Sequence, residues 1–374
     1  MLDEKQWNDF RAEMRSPYHY WGEDAAQSGA QYIVELGGRS IGKSYFWRAL
    51  MLRDWILNGA KMAYIRRYGE DITPAKVAQY FAGVDWVKLT DGRFDGIVCK
   101  SGQIMAVKRD EKRKVIDSDI VGYYFAIALD EHYKSSDYPA VEWAIFEEFV
   151  TRGRYLPDES DRLQNLISTI VRDNACTCVM IGNTITRACP YFAEWSLTHV
   201  PRMVAGDVDI YHVGETVIRV DMCAAAMESR KKSSKMFFGK SKKMVVQNEW
   251  HSDIFAKCPV NPYAESRVLH TVYFNDANIT MRVEIRRSDY GDAFVWVTPV
   301  DFKFTNIERV RVVSRQLTSL SPYHQSTFRP LCPAEGFILT AVEQGKIYYC
   351  DNLTGTAFNT IFPTLCTPPK LKSK

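Results

Sequence analysis

The 374-residue chain has no stretch approaching the ~18 consecutive apolar residues that a membrane span requires. Residues Met1 to Arg15 lack an apolar core of signal-peptide length. The pattern directs the chain neither to a bilayer nor to export, and a reducing cytosol is the expected setting. Its nine cysteines are scattered: Cys176 and Cys178 lie close together, but no paired CxxC sets occur, which excludes a disulfide framework and a zinc-finger arrangement. No internal repeat is evident. Charge is nearly balanced at +3, so the total says nothing about a polyanionic partner. What remains is an ordinary globular composition, 46% hydrophobic and 25% charged, that can bury a sizeable core at a length favouring two domains.

Residues Gly37 to Ser44 read G-G-R-S-I-G-K-S, between a short β-prone run (Tyr32 to Leu36) and a long segment with apolar residues at helical intervals (Tyr45 to Leu57). Strand, glycine-rich loop and helix in that order predict a phosphate-binding loop formed by Gly37, Gly38, Arg39, Ser40, Ile41, Gly42, Lys43 and Ser44. The glycines let backbone N–H groups curl round a β-phosphate, Lys43 reaches the β- and γ-phosphates, and the Ser44 hydroxyl enters a Mg²⁺ shell. The expected ligand is therefore ATP or GTP.

Further strands are expected at Lys61 to Tyr68, 96–100 and 103–108, the last two flanking a Ser101-Gly102 turn. Thr73-Pro74 starts a helix running to about Phe81. Two apolar runs then end in acidic pairs, Tyr123 to Leu129 before Asp130-Glu131, and Trp143 to Phe146 before Glu147-Glu148. A P-loop hydrolase needs one such pair, one carboxylate for the metal and one to polarise water; as a pattern, Asp130-Glu131 is the more usual pairing. An amphipathic helix over 158–173 leads to a strand, Cys176 to Ile181, ending in Gly182-Asn183-Thr184. Strands alternating with helices over 30–185 predict an α/β layer with a mainly parallel sheet. Beyond Pro190 the texture changes: a hairpin is expected at Asp207 to Asp221, and β-prone runs at 271–274, 279–285, 293–297, 337–342 and 347–349. The expected division is 1–198, a connecting segment 199–248, and a smaller β-rich α+β domain over 249–374. Positive charge is concentrated at Arg230, Lys231, Lys232, Lys235, Lys240, Lys242 and Lys243, with no acid between. It also gathers at the far end of the 96–108 hairpin, at Lys108, Arg109, Lys112, Arg113 and Lys114.

The segments G-G-R-S-I-G-K-S (37–44), A-Y-I-R-R-Y (63–68), K-S-S-D-Y-P-A-V (134–141), I-F-E-E-F (145–149) and I-G-N-T (181–184) occur in the order of a known family. Together they resemble the ring ATPases that package double-stranded DNA in small tailed phages with protein-primed linear genomes. That family lies in the additional-strand (ASCE) P-loop class, near the FtsK/HerA translocases and the large terminases. The resemblance covers residues 30–195 and weakens beyond 240.

It implies that Glu147 is the metal-side carboxylate and Glu148 the catalytic one. Glu rather than Asp at 147 departs from the family pattern by one methylene, tolerable where the contact to Mg²⁺ runs through water. By resemblance Asn183 senses the γ-phosphate, Arg172 is an arginine finger for the neighbouring subunit with Arg152 and Arg154 as competitors, and Lys134 acts across the interface. Arg39, inside the loop itself, is a candidate cis contact to the γ-phosphate. The implied C-terminal domain is RNase H-like without nuclease acids.

The function so expected is an ATP-driven, Mg²⁺-dependent DNA translocase, a homomeric ring of five. Its partners would be double-stranded DNA, a viral portal or procapsid and a structural packaging RNA, with no membrane, in host cytoplasm and transiently at the procapsid vertex. Both basic segments are the candidate DNA contacts. A P-loop kinase for a small molecule and a non-catalytic nucleotide-binding scaffold are the alternatives.

Overall fold

A computed structural model describes residues 2–17, 19–134, 136–151, 155–172, 175–187, 189–224, 255–276, 279–300, 310–315 and 321–366. They fall into two compact units, one drawn from 1–151, 156–185 and 202–250, the other from 152–155, 186–201 and 251–374. The Arg230 to Lys243 cluster, Arg152 and Arg154 lie outside the described residues.

The first unit carries helices α1 (Glu4–Met14), α2 (Glu23–Ala26), α3 (Lys43–Asn58), α4 (Pro74–Tyr80), α5 (Trp86–Leu89) and α6 (Glu159–Val171). Its strands are β1 (Tyr32–Gly37), β2 (Lys61–Arg66), β3 (Gly96–Lys100), β4 (Gln103–Arg109), β5 (Val115–Ala126), β6 (Val141–Glu147), β7 (Thr177–Asn183), β8 (Val208–Val213) and β9 (Thr216–Met222). They form one nine-stranded sheet in the order β3-β4-β5-β2-β6-β7-β1-β9-β8. The six strands from β5 to β9 are parallel, and antiparallel hairpin partners close both edges.

The central strands β1, β2, β6 and β7 are buried almost without a break. Such unbroken burial is what a parallel sheet covered on both faces requires. Trp47 of α3 and Trp143 of β6 are among its largest fully buried side chains, with ring centroids 6.0 Å apart. Proline at the first position and the Thr73 cap start α4 as the sequence predicts.

Two expectations are corrected here. The hairpin at Asp207 to Asp221 does not belong to a connecting segment: β9 runs parallel to β1, so the sheet extends past residue 198. The run before Asp130-Glu131 is strand only to Ala126; residues Ile127–Tyr133 form a 3-10 helix, and Asp130 sits inside it rather than on a strand tip.

The second unit contains α7 (Pro190–Glu194) and a six-stranded sheet. Its strands are β10 (Ser266–Asp276), β11 (Ile279–Ser288), β12 (Ala293–Pro299), β13 (Val312–Ser314), β14 (His324–Gln325) and β15 (Ile347–Tyr349), ordered β14-β13-β10-β11-β12-β15. An antiparallel meander, β10 to β12, is extended by parallel strands at either side. Helices α8 (Pro333–Gln344) and α9 (Asn352–Cys366) cover its apolar face, where Phe274, Val283, Val297, Ile338 and Phe358 pack together.

The run at 337–342 is thus helical, not a strand. Pro333 opens the helix, Gly345 ends it at φ 68°, and Glu335, Ile338 and Ala341 share its buried side. A short apolar run fits either period, and the flanking Pro and Gly decide it.

Candidate nucleotide site

Parallel register brings three strand ends to one edge. Gly37 of β1 lies opposite Asn183 of β7, and Glu147 of β6 lies opposite Ile181. Because β7 is inserted between β1 and β6, the loop and the acidic pair face each other across one additional strand. Ligands of open α/β sheets bind at this carboxyl edge.

A cavity of about 490 Å³ occupies the edge, lined by His19, Arg39 to Tyr45, Glu147, Glu148, Ile181 and Asn183. Gly42 takes φ 103°, and a Cβ there would come within 3.0 Å of the His19 side chain, so both backbone and space demand glycine. Lys43 starts α3 and is buried; its ammonium donates to the Gly38 carbonyl at 2.8 Å. Burial pulls its pKa down, opposed by the charges of Cys223, Glu35 and Glu147.

Glu147 is buried beside the loop and lines the same cavity as Ser44. Its Oε1 has no hydrogen-bond partner among the described residues. Burial pushes its carboxyl above the usual range, against the nearby Ser44 hydroxyl and the charges of Arg66 and Lys43. A shielded carboxylate oxygen without a donor, next to a serine hydroxyl at a phosphate loop, is a donor set that suits a hard divalent cation.

Glu148 follows at φ 60°, out of line with the strand, its side chain exposed and paired with Arg66 at 2.7 Å. That sharp turn is gripped by Arg67. Its guanidinium is buried, bonds Glu159 through two nitrogens at 2.7 and 2.9 Å, and donates to the carbonyls of Glu148 and Phe149 at 3.2 and 2.6 Å. It also lies over the Phe146 ring, 5.7 Å from the centroid. Neither arginine was among the expected site residues. Their signal was two successive arginines ending a buried strand beside the acidic one.

The other acidic pair is spent elsewhere. Asp130 is bonded by Arg162, and Glu131 by Lys134 through both oxygens at 2.8 Å. Lys134 and Arg172 do not line the cavity of their own chain. Arg172 ends α6 at φ 47° and donates to the Ser136 carbonyl at 2.8 Å. In the hairpin, Lys108 donates to the Gly92 carbonyl and Arg109 pairs with Asp95 at 2.8 Å. Lys112, Arg113 and Lys114 are exposed at the turn between β4 and β5.

Residues 27–295 match the family model described as Podovirus DNA encapsidation protein (Gp16). The chain belongs to this family. It is similar to the DNA packaging proteins of Bacillus phages PZA and phi29, 28% identical to each over 171 residues. These matches cover 43% of this chain and 45% of the relatives, so the matched stretch spans less than half of their length.

Among solved structures, the bacteriophage Phi-29 viral genome packaging motor assembly superposes with a TM-score of 0.59 at 17% identity, over 93% of this chain and 99% of that one. The Phi-28 gp11 DNA packaging motor gives 0.50 at 17% identity, over 96% and 100%. At that identity the likeness extends to the fold. In this member of the encapsidation family, the fold is a large mainly parallel sheet with a second, smaller sheet.

Proposed function

We propose that the chain is an ATP-driven motor that moves viral double-stranded DNA into a procapsid, hydrolysing ATP at the 37–44 loop. The carrying observation is the buried Glu147 carboxylate, lacking a partner at Oε1, within one cavity with Lys43, Ser44 and Glu148. Family membership and the packaging role named for the phage relatives support the DNA-directed half.

Lys43 leaves the Gly38 carbonyl to meet the β- and γ-phosphates, while the loop amides and the first turn of α3 hold the polyphosphate. Mg²⁺ would be held by Ser44 and, through water, Glu147, and would supply charge neutralisation at the phosphates. Glu148, released from Arg66, orients the attacking water. The Asn183 amide and Arg39, both on the cavity wall, are placed to read the γ-phosphate.

Arg172 supplies a guanidinium to the neighbouring subunit's site in a ring of five, with Lys134 acting at the same interface. The exposed Lys112, Arg113 and Lys114 contact DNA phosphates, and a portal and a structural RNA complete the assembly.

The test is ATP turnover with and without long double-stranded DNA. Glu148→Gln is expected to bind ATP but lose ~10²-fold or more in turnover, the scale of a positioned catalytic group. Reversing the charge of Lys112, Arg113 and Lys114 is expected to weaken DNA stimulation and flatten its salt dependence. Unaltered turnover in Glu148→Gln would exclude hydrolysis by this pair. Stimulation by DNA that survives charge reversal would exclude the hairpin.

A further inference from the structure

Glu35 lies in β1, two residues ahead of the loop, with no exposed surface. Its Oε1 accepts from the Tyr20 hydroxyl at 2.6 Å, and its Oε2 from the Cys223 thiol. Both partners are also bonded to backbone at the loop. The Tyr20 amide donates to the Ile41 carbonyl inside it, and the Cys223 amide to the Leu36 carbonyl at its entry, each at 2.7 Å. The Cys223 carbonyl stands where a Cβ on Gly37 would come within 3.0 Å. One carboxylate therefore joins the two chain segments that clasp the loop. An apolar residue, like its neighbours Val34 and Leu36, would fill that position without the cost of burying an acid.

We propose that Glu35 is a positioning residue of the nucleotide site, gripping the phosphate-binding loop through Tyr20 and Cys223 and taking up a proton when a polyphosphate enters. The proposal rests on the reading of the loop as a nucleotide site.

The groups that face Glu35 are Tyr20 from the N-terminal segment, Lys43 from α3, and Asp221 and Cys223 from β9 and its end; Arg219 pairs with Asp221 at 2.9 Å. Burial and then the Asp221 charge push the Glu35 carboxyl up to about 7, against the Cys223 and Tyr20 bonds and the Lys43 charge. A polyphosphate held by Lys43 withdraws the nearest compensating cation and adds negative charge. The neutral acid is then favoured, and a proton moves from solvent to the carboxylate. Affinity for the polyphosphate consequently falls as pH rises above about 7.

The experiment is calorimetry of ADP binding to the full chain, in buffers of different ionisation enthalpy near pH 7.5. Wild type is expected to take up roughly half a proton more than Glu35→Gln. Tyr20→Phe is expected to bind ADP roughly tenfold more weakly, with its melting temperature held within about 4 °C. Equal proton counts in wild type and Glu35→Gln would overturn the protonation. Wild-type affinity in Tyr20→Phe would overturn the grip. Failure of wild type to bind ADP at all would overturn the nucleotide site beneath both.

Discussion

Two acidic pairs that look alike in sequence have opposite surroundings. Asp130 sits in a helical turn, nearly buried, with Arg162 bonded to it. Burial pushes its carboxyl up, but the Arg162 bonds and charge outweigh this and hold it below the ordinary range. Glu147 is also buried, yet it faces a serine hydroxyl rather than a paired cation, leaves one oxygen without a donor, and its carboxyl is raised. A satisfied buried acid is a structural member. An unsatisfied one, held at the edge of a phosphate loop, is waiting for a ligand. The contrast supports Glu147-Glu148 as the pair of the proposed mechanism, where residue pattern alone favours the other.

The largest expected effect that would break this contrast is on turnover. Glu147→Ala should reduce ATP hydrolysis ~10²- to 10³-fold, the scale of losing one preorganised charge-stabilising group, with unfolding free energy little changed. Measuring both in the same preparation separates the roles; a fall in stability with turnover intact would return Glu147 to the structural class.

Next comes Asp130→Asn, expected to cost about 1–3 kcal/mol in urea unfolding at pH 7, with turnover within about threefold of wild type. The sign with pH follows from the depressed carboxyl. The ion pair contributes fully above the unfolded value near 4, and its contribution is lost as pH falls through the lower folded value. The gap between wild type and Asp130→Asn should therefore shrink as unfolding is measured at successively lower pH below 4. A gap that widened would mean the pair is not what stabilises this turn.

The smallest effect is expected for Arg66→Ala. Its partner Glu148 is largely exposed, so the pair should add less than about 1 kcal/mol to stability. A loss as large as that of Asp130→Asn would erase the distinction between an exposed pair holding the proposed catalytic group and a buried pair holding the fold.

Much of the first unit was legible because its signals are local. The loop, its strand and its helix span 27 residues from Tyr32 to Asn58, and each piece is written in neighbouring residue types. The Thr73-Pro74 start is equally local. The role of Arg67 was not legible, since its partners Glu148, Phe149 and Glu159 lie 81 to 92 residues away. Glu35 is more extreme: one of its partners is 15 residues before it and the other 188 after. A run such as Phe337 to Val342 carries no decisive period, and only its flanking breakers favour a helix.

By itself the sequence determined the chemistry on offer: a loop shaped for phosphate, two candidate acidic pairs, and alternating elements that require a parallel sheet. Periodicity and turn chemistry act over a few residues, and they survive without any knowledge of the fold. The tertiary structure decided which acids are neutralised and which are left in need. Whether a carboxylate has a cation, a hydroxyl or nothing beside it depends on strand order and register, which bring distant segments to one edge of the sheet.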